Sequence, residues 1–543
     1  LLLGLLILCL APRAIMAWKI GGICPDAALY IRQAESLEQG DLHGALDAMR
    51  LNLFPVILML LHRAGLPWEA AGAWWGVVIS SCTVLPLFGW VRRQFDDRVA
   101  LAACFLYAVH PALIRWSPEV IRDPTFWFLF TLSLYLLWRA VTELRWPPAV
   151  AAGAAMALAS MTRIEGALLL APLALWSLGR GWARPEFRGR LVVSGILCVG
   201  VYPLLLGLIA AAWFDNQAPW QLVRTDPLET AREWAQGDRA LPAGPAVESP
   251  ARAATREPPP LPRMIELFAT AGFKGITPVF LVGSLLGMTG AWRLWRRFDH
   301  QVLVVASLPL CLAIWIHLWR AGETSLRYFF PVAILMTPLT AMGLIGLSQG
   351  LARMAQRSRR VGQGRANAGG AVRLASALPA LAVLAVGLIV SLGTDCRSRT
   401  ASAELGRWAR EELGPSPLTF GPDGVTQVVN YYAQGRCQSF PRLETDSDVA
   451  ARVEQLRPDL VLLPADRKCP GDGPPLVERI ERLGFVQVDR SGFTGGCRQV
   501  LVLRRGDGPR QIAPTAPPGA GRRGAGQARM PGFHAWIATS GYC

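Results

Sequence analysis

The chain has 543 residues, of which 52% are hydrophobic and only 17% charged, with 20 Trp and a net charge of +16. So little charge over such a length excludes an ordinary soluble globular protein, and apolar runs such as 71–91, 191–214 and 374–392 approach the roughly 20 residues that cross a bilayer core. Nor does the excess of Arg point to nucleic acid: no basic stripe with interleaved aromatics occurs, and membrane proteins concentrate Arg on cytoplasmic loops.

In chain order, apolar length and charged flanks predict about eleven spans. They lie near 1–17, 70–91, 99–114, 125–141, 146–161, 164–179, 191–214, 276–295, 301–319, 329–349 and 374–392. The opening run is short and starts at Leu1, which reads as a first span lacking its cytoplasmic start; no clear small-residue cleavage site follows it. The apolar stretch 53–61 is too short to span and reads as a re-entrant piece or as the entry to the second span.

The resulting fold class is a polytopic α-helical membrane protein with a small extracytoplasmic C-terminal α/β module. Orientation comes from Arg placement. If Asp26 faces outward, the inner loops, including Arg92, Arg93, Arg180, Arg184, Arg188, Arg296, Arg297, Arg357 and Arg359, carry roughly twice the basic residues of the outer ones, the long outer loop 215–275 left aside. The domain division is a membrane domain over 1–393 with outer loops 18–69 and 215–275, a module over 394–505, and a Gly-, Pro- and Arg-rich tail over 506–543 that reads as disordered.

The loop 215–275 has a Pro-rich middle at 257–262. Its flanks, 220–234 and 263–273, fit amphipathic helices packed on the membrane surface. In the module, 418–420, 460–463 and 500–503 read as strands, and 404–413, 449–456 and 475–483 as helices. Cys396, Cys437, Cys469 and Cys497 read as one or two disulfides in an outward domain, against the alternative of unpaired buried thiols. No Cys/His spacing there suits zinc.

Charges near the ends of apolar spans are costly and therefore candidates for function. Asp26 opens the polar stretch 24–50, with Tyr30 one turn on. It fits a helix cap and a catalytic carboxylate equally. The turn 116–124, WSPEVIRDP, carries Glu119, Arg122 and Asp123, with Pro124 suited to a first helical turn. The sequence TRIEG at 162–166 holds Arg163 and Glu165, which could equally be an exposed ion pair. SLRYFFP at 325–331 places Arg327 and Tyr328 at a span mouth, where a snorkelling Arg is the plain alternative. All four groups fall on one side of the membrane in the orientation above.

Together with Arg13 late in the first span and 52–55 leading into the second, these motifs resemble the polytopic C-fold glycosyltransferases. They resemble in particular the bacterial relatives of the protein O-mannosyltransferases and the lipid A aminoarabinose transferases. The resemblance covers roughly 1–350. Ala27 stands where that family often has a second acidic residue after the first Asp. What the resemblance implies is a hexosyl- or pentosyltransferase that uses a polyprenyl-phosphate sugar at the outer membrane face, with inversion. Asp26 would be the general base. Asp123 would orient the acceptor or share a divalent metal, and Glu165 would position Arg163 or the sugar. Arg13, Arg163 and Arg327 would stabilise the leaving phosphate, with Tyr30, Glu119 and Tyr328 also lining the site. Two readings compete: a transporter or flippase of a lipid-linked sugar, and a non-catalytic binder of polyprenyl phosphate.

Overall fold

A computed structural model describes residues 2–42, 44–45, 52–213, 259–290, 298–361, 368–393, 397–414, 416–422, 424–440, 446–464, 476–488 and 500–506. The chain divides into two units. One comprises Leu1–Gly21 and Leu29–Cys396; the other comprises Gly22–Ala28 and Arg397–Cys543.

The first unit is helical. Its helices are α1 (Leu2–Lys19), most of α2 (Pro25–Glu38), α3 (Leu53–Arg63), α4 (Trp68–Cys82), α5 (Val84–Gln94), α6 (Asp97–Val109), α7 (Pro111–Trp116) and α8 (Asp123–Glu143). They continue with α9 (Trp146–Thr162), α10 (Leu170–Ala183), α11 (Arg188–Trp213), α12 (Leu261–Ile276), α13 (Pro278–Gly290), α14 (Phe298–Ala321), α15 (Phe330–Val361) and α16 (Ala368–Leu392). Helix falls on every predicted span. The protein is a multi-pass membrane protein by its apolar helices.

The described helices do not by themselves establish the count of eleven. Among the described residues, five stretches are long and apolar enough to cross a membrane: Leu2–Lys19, Trp68–Gln94, Asp123–Glu143, Pro185–Leu205 and Leu326–Met354. The pair Leu261–Ile276 and Pro278–Thr289, bent by 88°, makes a sixth if taken as one span. Several expected spans are interrupted. Span 99–114 breaks at His110–Pro111, because proline lacks the N–H that would continue α6. Span 164–179 opens with a 3-10 turn, Ile164–Leu169. Span 276–295 begins after Thr277, at φ 67°. The surface helix expected at 263–273 is α12, which turns into α13 at that bend.

Small residues let the helices approach. Gly72 and Gly76 lie one turn apart on α4, a Gly-x-x-x-Gly spacing. A Cβ on Gly76 would run into the Ser117 carbonyl, and one on Gly72 into Val120. The turn between α7 and α8 is thereby seated directly on α4. Helices α13 and α15 are joined by a 2.7 Å hydrogen bond between the hydroxyls of Ser284 and Thr340.

The second unit contains α17 (Arg397–Leu413), β1 (Leu418–Pro422), α18 (Val425–Ala433), β2 (Arg436–Phe440), α19 (Asp446–Leu456), β3 (Leu460–Pro464), α20 (Leu476–Arg482), β4 (Phe485–Gln487) and β5 (Val500–Arg505). The sheet order is β2-β1-β3-β5-β4. β1 runs parallel to β2 and β3, whereas β5 is antiparallel to β3 and β4. Strand alternation divides the core. Val461, Leu463 and Leu503 pack with Val453 and Ile480 on one face; Leu460, Leu462 and Val502 pack with Leu405 and Val429 on the other. The expected helix at 220–234, the tail after Gly506, and Cys396, Cys469 and Cys497 lie outside the described residues.

Candidate functional site

The site grows from two helix ends and two tight turns. Helix α8 starts at Asp123, with Pro124 in its first turn. Helix α9 ends at Thr162, and Arg163 follows in extended conformation before the 3-10 turn that carries Glu165. A second 3-10 turn, Leu326–Phe329, carries Arg327 and Tyr328 and is capped by the Ser325 side chain. Helix α12 supports this turn from the side, with the Phe268 and Phe329 rings edge-to-face at 5.0 Å.

These pieces converge on one carboxylate. Arg163 Nη1 donates to Asp123 Oδ1 at 2.7 Å, and Arg327 Nη1 lies 3.9 Å from Asp123 Oδ2. Arg163 also donates through Nη2 to Glu165 Oε1 at 2.5 Å and through Nε to Oε2 at 3.3 Å. The guanidinium of Arg163 lies against the rings of Tyr328 (5.0 Å) and Phe126 (5.7 Å), and that of Arg327 over Trp116 (5.1 Å). Asp123 is 2% exposed, Arg163 5% and Arg327 17%. The result is a buried pair with a second cation at its more open edge, cation–π contacts included.

Five expected residues therefore meet: Asp123, Arg163, Glu165, Arg327 and Tyr328. Glu119 is buried in the turn between α7 and α8. Tyr30 is buried elsewhere, edge-on to Phe54 at 5.3 Å. Asp26 lies in the first turn of α2 and belongs to the second unit. The helix begins at Pro25, so Asp26 is inside the helix and not at its cap.

Two of the expected roles find no support in this geometry. Arg13 is fully buried and makes its hydrogen bonds away from the group around Asp123. Its Nη1 donates to the carbonyls of Cys9 and Ala108, its Nη2 to that of Tyr107 and its Nε to Ser117 Oγ. The reason is local: Pro111 has no N–H for the Tyr107 carbonyl, and Arg13 supplies one. A shared metal at Asp123 does not fit either. Both Asp123 oxygens face guanidinia, whose charge repels a divalent cation. Among the described residues no group of three or more His, Cys, Asp or Glu is placed to hold a metal.

The sequence reading missed Trp116, Phe126 and the glycine pair on α4. Each had a signal: an aromatic beside each charged turn, and a Gly-x-x-x-Gly spacing within an apolar run.

The fold is like that of solved polytopic glycosyltransferases of the C fold. Residues 57–207, which include Asp123, Arg163 and Glu165, match the family model described as dolichyl-phosphate-mannose-protein mannosyltransferase. The solved structure of archaeal oligosaccharyltransferase AglB from Archaeoglobus fulgidus, in complex with an inhibitory peptide and a dolichol-phosphate, is similar at TM-score 0.55 and 14% identity. That likeness covers 86% of this chain and 69% of that one. ArnT from Cupriavidus metallidurans bound to undecaprenyl phosphate is similar at TM-score 0.52 and 14% identity, over 92% of this chain and 97% of that one. No curated protein matches the chain in sequence.

Proposed function

We propose that the protein is a membrane glycosyltransferase that moves a sugar from a polyprenyl-phosphate donor to an acceptor hydroxyl or amine at the outer membrane face. The observation that carries this reading is the convergence of Arg163 and Arg327 on Asp123 inside a C-fold frame. The neighbours described above as bound to dolichol-phosphate and undecaprenyl phosphate support the donor class.

The chemistry follows from the donor. A lipid-linked sugar cannot leave the bilayer, so its headgroup is met at the interface. Asp26 takes the proton from the acceptor as its oxygen or nitrogen attacks the anomeric carbon. The bond from that carbon to the phosphate oxygen breaks, and polyprenyl phosphate leaves with the electron pair. Attack from the face opposite the leaving group inverts the anomeric centre. The leaving group is already acidic, so cationic stabilisation counts for more than protonation, and Arg163 and Arg327 supply it. Asp123 holds Arg163 in place from one side and Glu165 from the other.

Asp26→Asn tests the base. Asn keeps size and hydrogen-bonding shape but cannot accept a proton at neutral pH. Turnover with a synthetic polyprenyl-phosphate sugar should fall by about 10²–10⁴, with folding and donor binding retained. Near-normal turnover in a folded Asp26→Asn protein would rule Asp26 out as the base. Mass spectrometry of co-purifying lipid tests the donor: a consistent absence of any phosphopolyprenyl sugar would favour the transporter reading.

A further inference from the structure

The segment that carries Asp26 is built into the second unit. Gly22–Ala28, which includes the first turn of α2, groups with Arg397–Cys543 and apart from α1 and the remainder of α2. Ile23, Cys24 and Ala27 are buried, while Asp26 between them stays partly exposed. Two close approaches hold the strap. A Cβ on Gly22 would stand 2.7 Å from the Arg399 carbonyl oxygen and 3.4 Å from the Ala403 side chain, so the strap lies directly on the first turns of α17. Three residues on, Pro25 abuts Gly424, whose φ of 87° shapes the turn into α18.

We propose that the α/β unit is the positioning scaffold for Asp26. It clamps the strap at Gly22 and at Pro25, and so fixes the carboxylate of Asp26, the residue after the second clamp. The inference rests on the reading of Asp26 as general base. It assigns Gly22, Pro25 and Gly424 as positioning residues and gives the C-terminal unit a part in the reaction. The physical basis is that a general base must sit within hydrogen-bond reach of the proton it takes, so a small displacement is felt in turnover. Burial of Ile23, Cys24 and Ala27 on either side of a partly exposed Asp26 gives the rigid support such a site needs.

The test is a comparison of kcat and KM in the full-length protein, using a synthetic polyprenyl-phosphate sugar. Gly22→Val puts a branched side chain against a backbone carbonyl, which cannot yield as a flexible side chain would. The strap must shift, and kcat should fall at least about tenfold, while KM for the donor stays within about twofold because Arg163 and Arg327 are untouched. A merely structural role would lower the yield of folded protein and leave kcat per folded molecule unchanged; that result would overturn the proposal. Asp26→Asn is measured alongside. If it turns over normally, the base reading itself has failed; if it is inactive while Gly22→Val has wild-type kcat, only the scaffold has failed. Should Gly22→Val not fold, Pro25→Cys with Gly424→Cys decides. The Cβ positions are 3.9 Å apart, within the usual range for a disulfide. With the bond verified by mass mapping and the single Gly424→Cys protein as reference, the oxidised form should keep its kcat. Activity lost on oxidation and regained on reduction would show that the strap leaves the scaffold during turnover, and would overturn the proposal.

Discussion

Replacing Arg163 with Ala should destabilise the membrane unit by about 3 kcal/mol. Removing one partner of a buried ion pair costs about 3–5 kcal/mol, because the other charge is left uncompensated. Here that charge is Asp123, at 2% exposure. Arg327 already lies 3.9 Å from its second oxygen and can close on it, which moves the expectation to the lower end. Glu165 adds little, because its side chain is 22% exposed and water can replace the lost bonds. The measurement is thermal or denaturant unfolding in detergent, followed by donor binding on the folded fraction. Arg163→Lys should fall between Ala and wild type, since an ammonium cannot reach both carboxylates with a planar fork. Arg163→Ala combined with Asp123→Asn should regain about 1 kcal/mol or more over Arg163→Ala alone, because no buried charge is left unpaired. A double variant as unstable as the single one, or an Arg163→Ala protein that unfolds like wild type, would refute the reasoning.

Arg327→Ala should weaken donor binding more than Arg327→Lys does, since the guanidinium offers phosphate two parallel donors; equal, wild-type binding by both would make Arg327 an interfacial anchor. Gly76→Val should push the turn between α7 and α8 off α4 and lower turnover at least tenfold, whereas Gly4→Ala, with open space around it, should leave turnover unchanged. A reporter fused after Arg505 should lie outside the cytoplasm, given the Arg-rich loop before α16; a cytoplasmic signal would reverse the orientation proposed for the whole chain.

The sequence by itself determined where the helices lie and which charges stand out. Apolar length alone locates the helices, because a bilayer core demands it of any crossing segment. The runs at 418–420, 460–463 and 500–503 fall within β1, β3 and β5, since central strands need apolar side chains on both faces. The edge strands β2, RCQSF, and β4, only three residues long, were not legible, because an edge strand requires no such pattern. Asp123, Arg163, Glu165 and Arg327 were visible as anomalies, because a charge beside an apolar run is costly wherever it points. Which charge meets which was decided only by the tertiary structure. Arg163 finds Asp123 across 40 residues, and Arg13 reaches Ser117 across 104. The two arginines look alike in sequence, yet one is spent on backbone carbonyls, that of Tyr107 left open by Pro111 among them, and the other on a buried carboxylate. Likewise nothing in the strap 22–28 announces that it belongs with residues beyond 397. A local pattern records the cost of burying a group, whereas the partner that offsets the cost is chosen by packing between segments far apart in the chain.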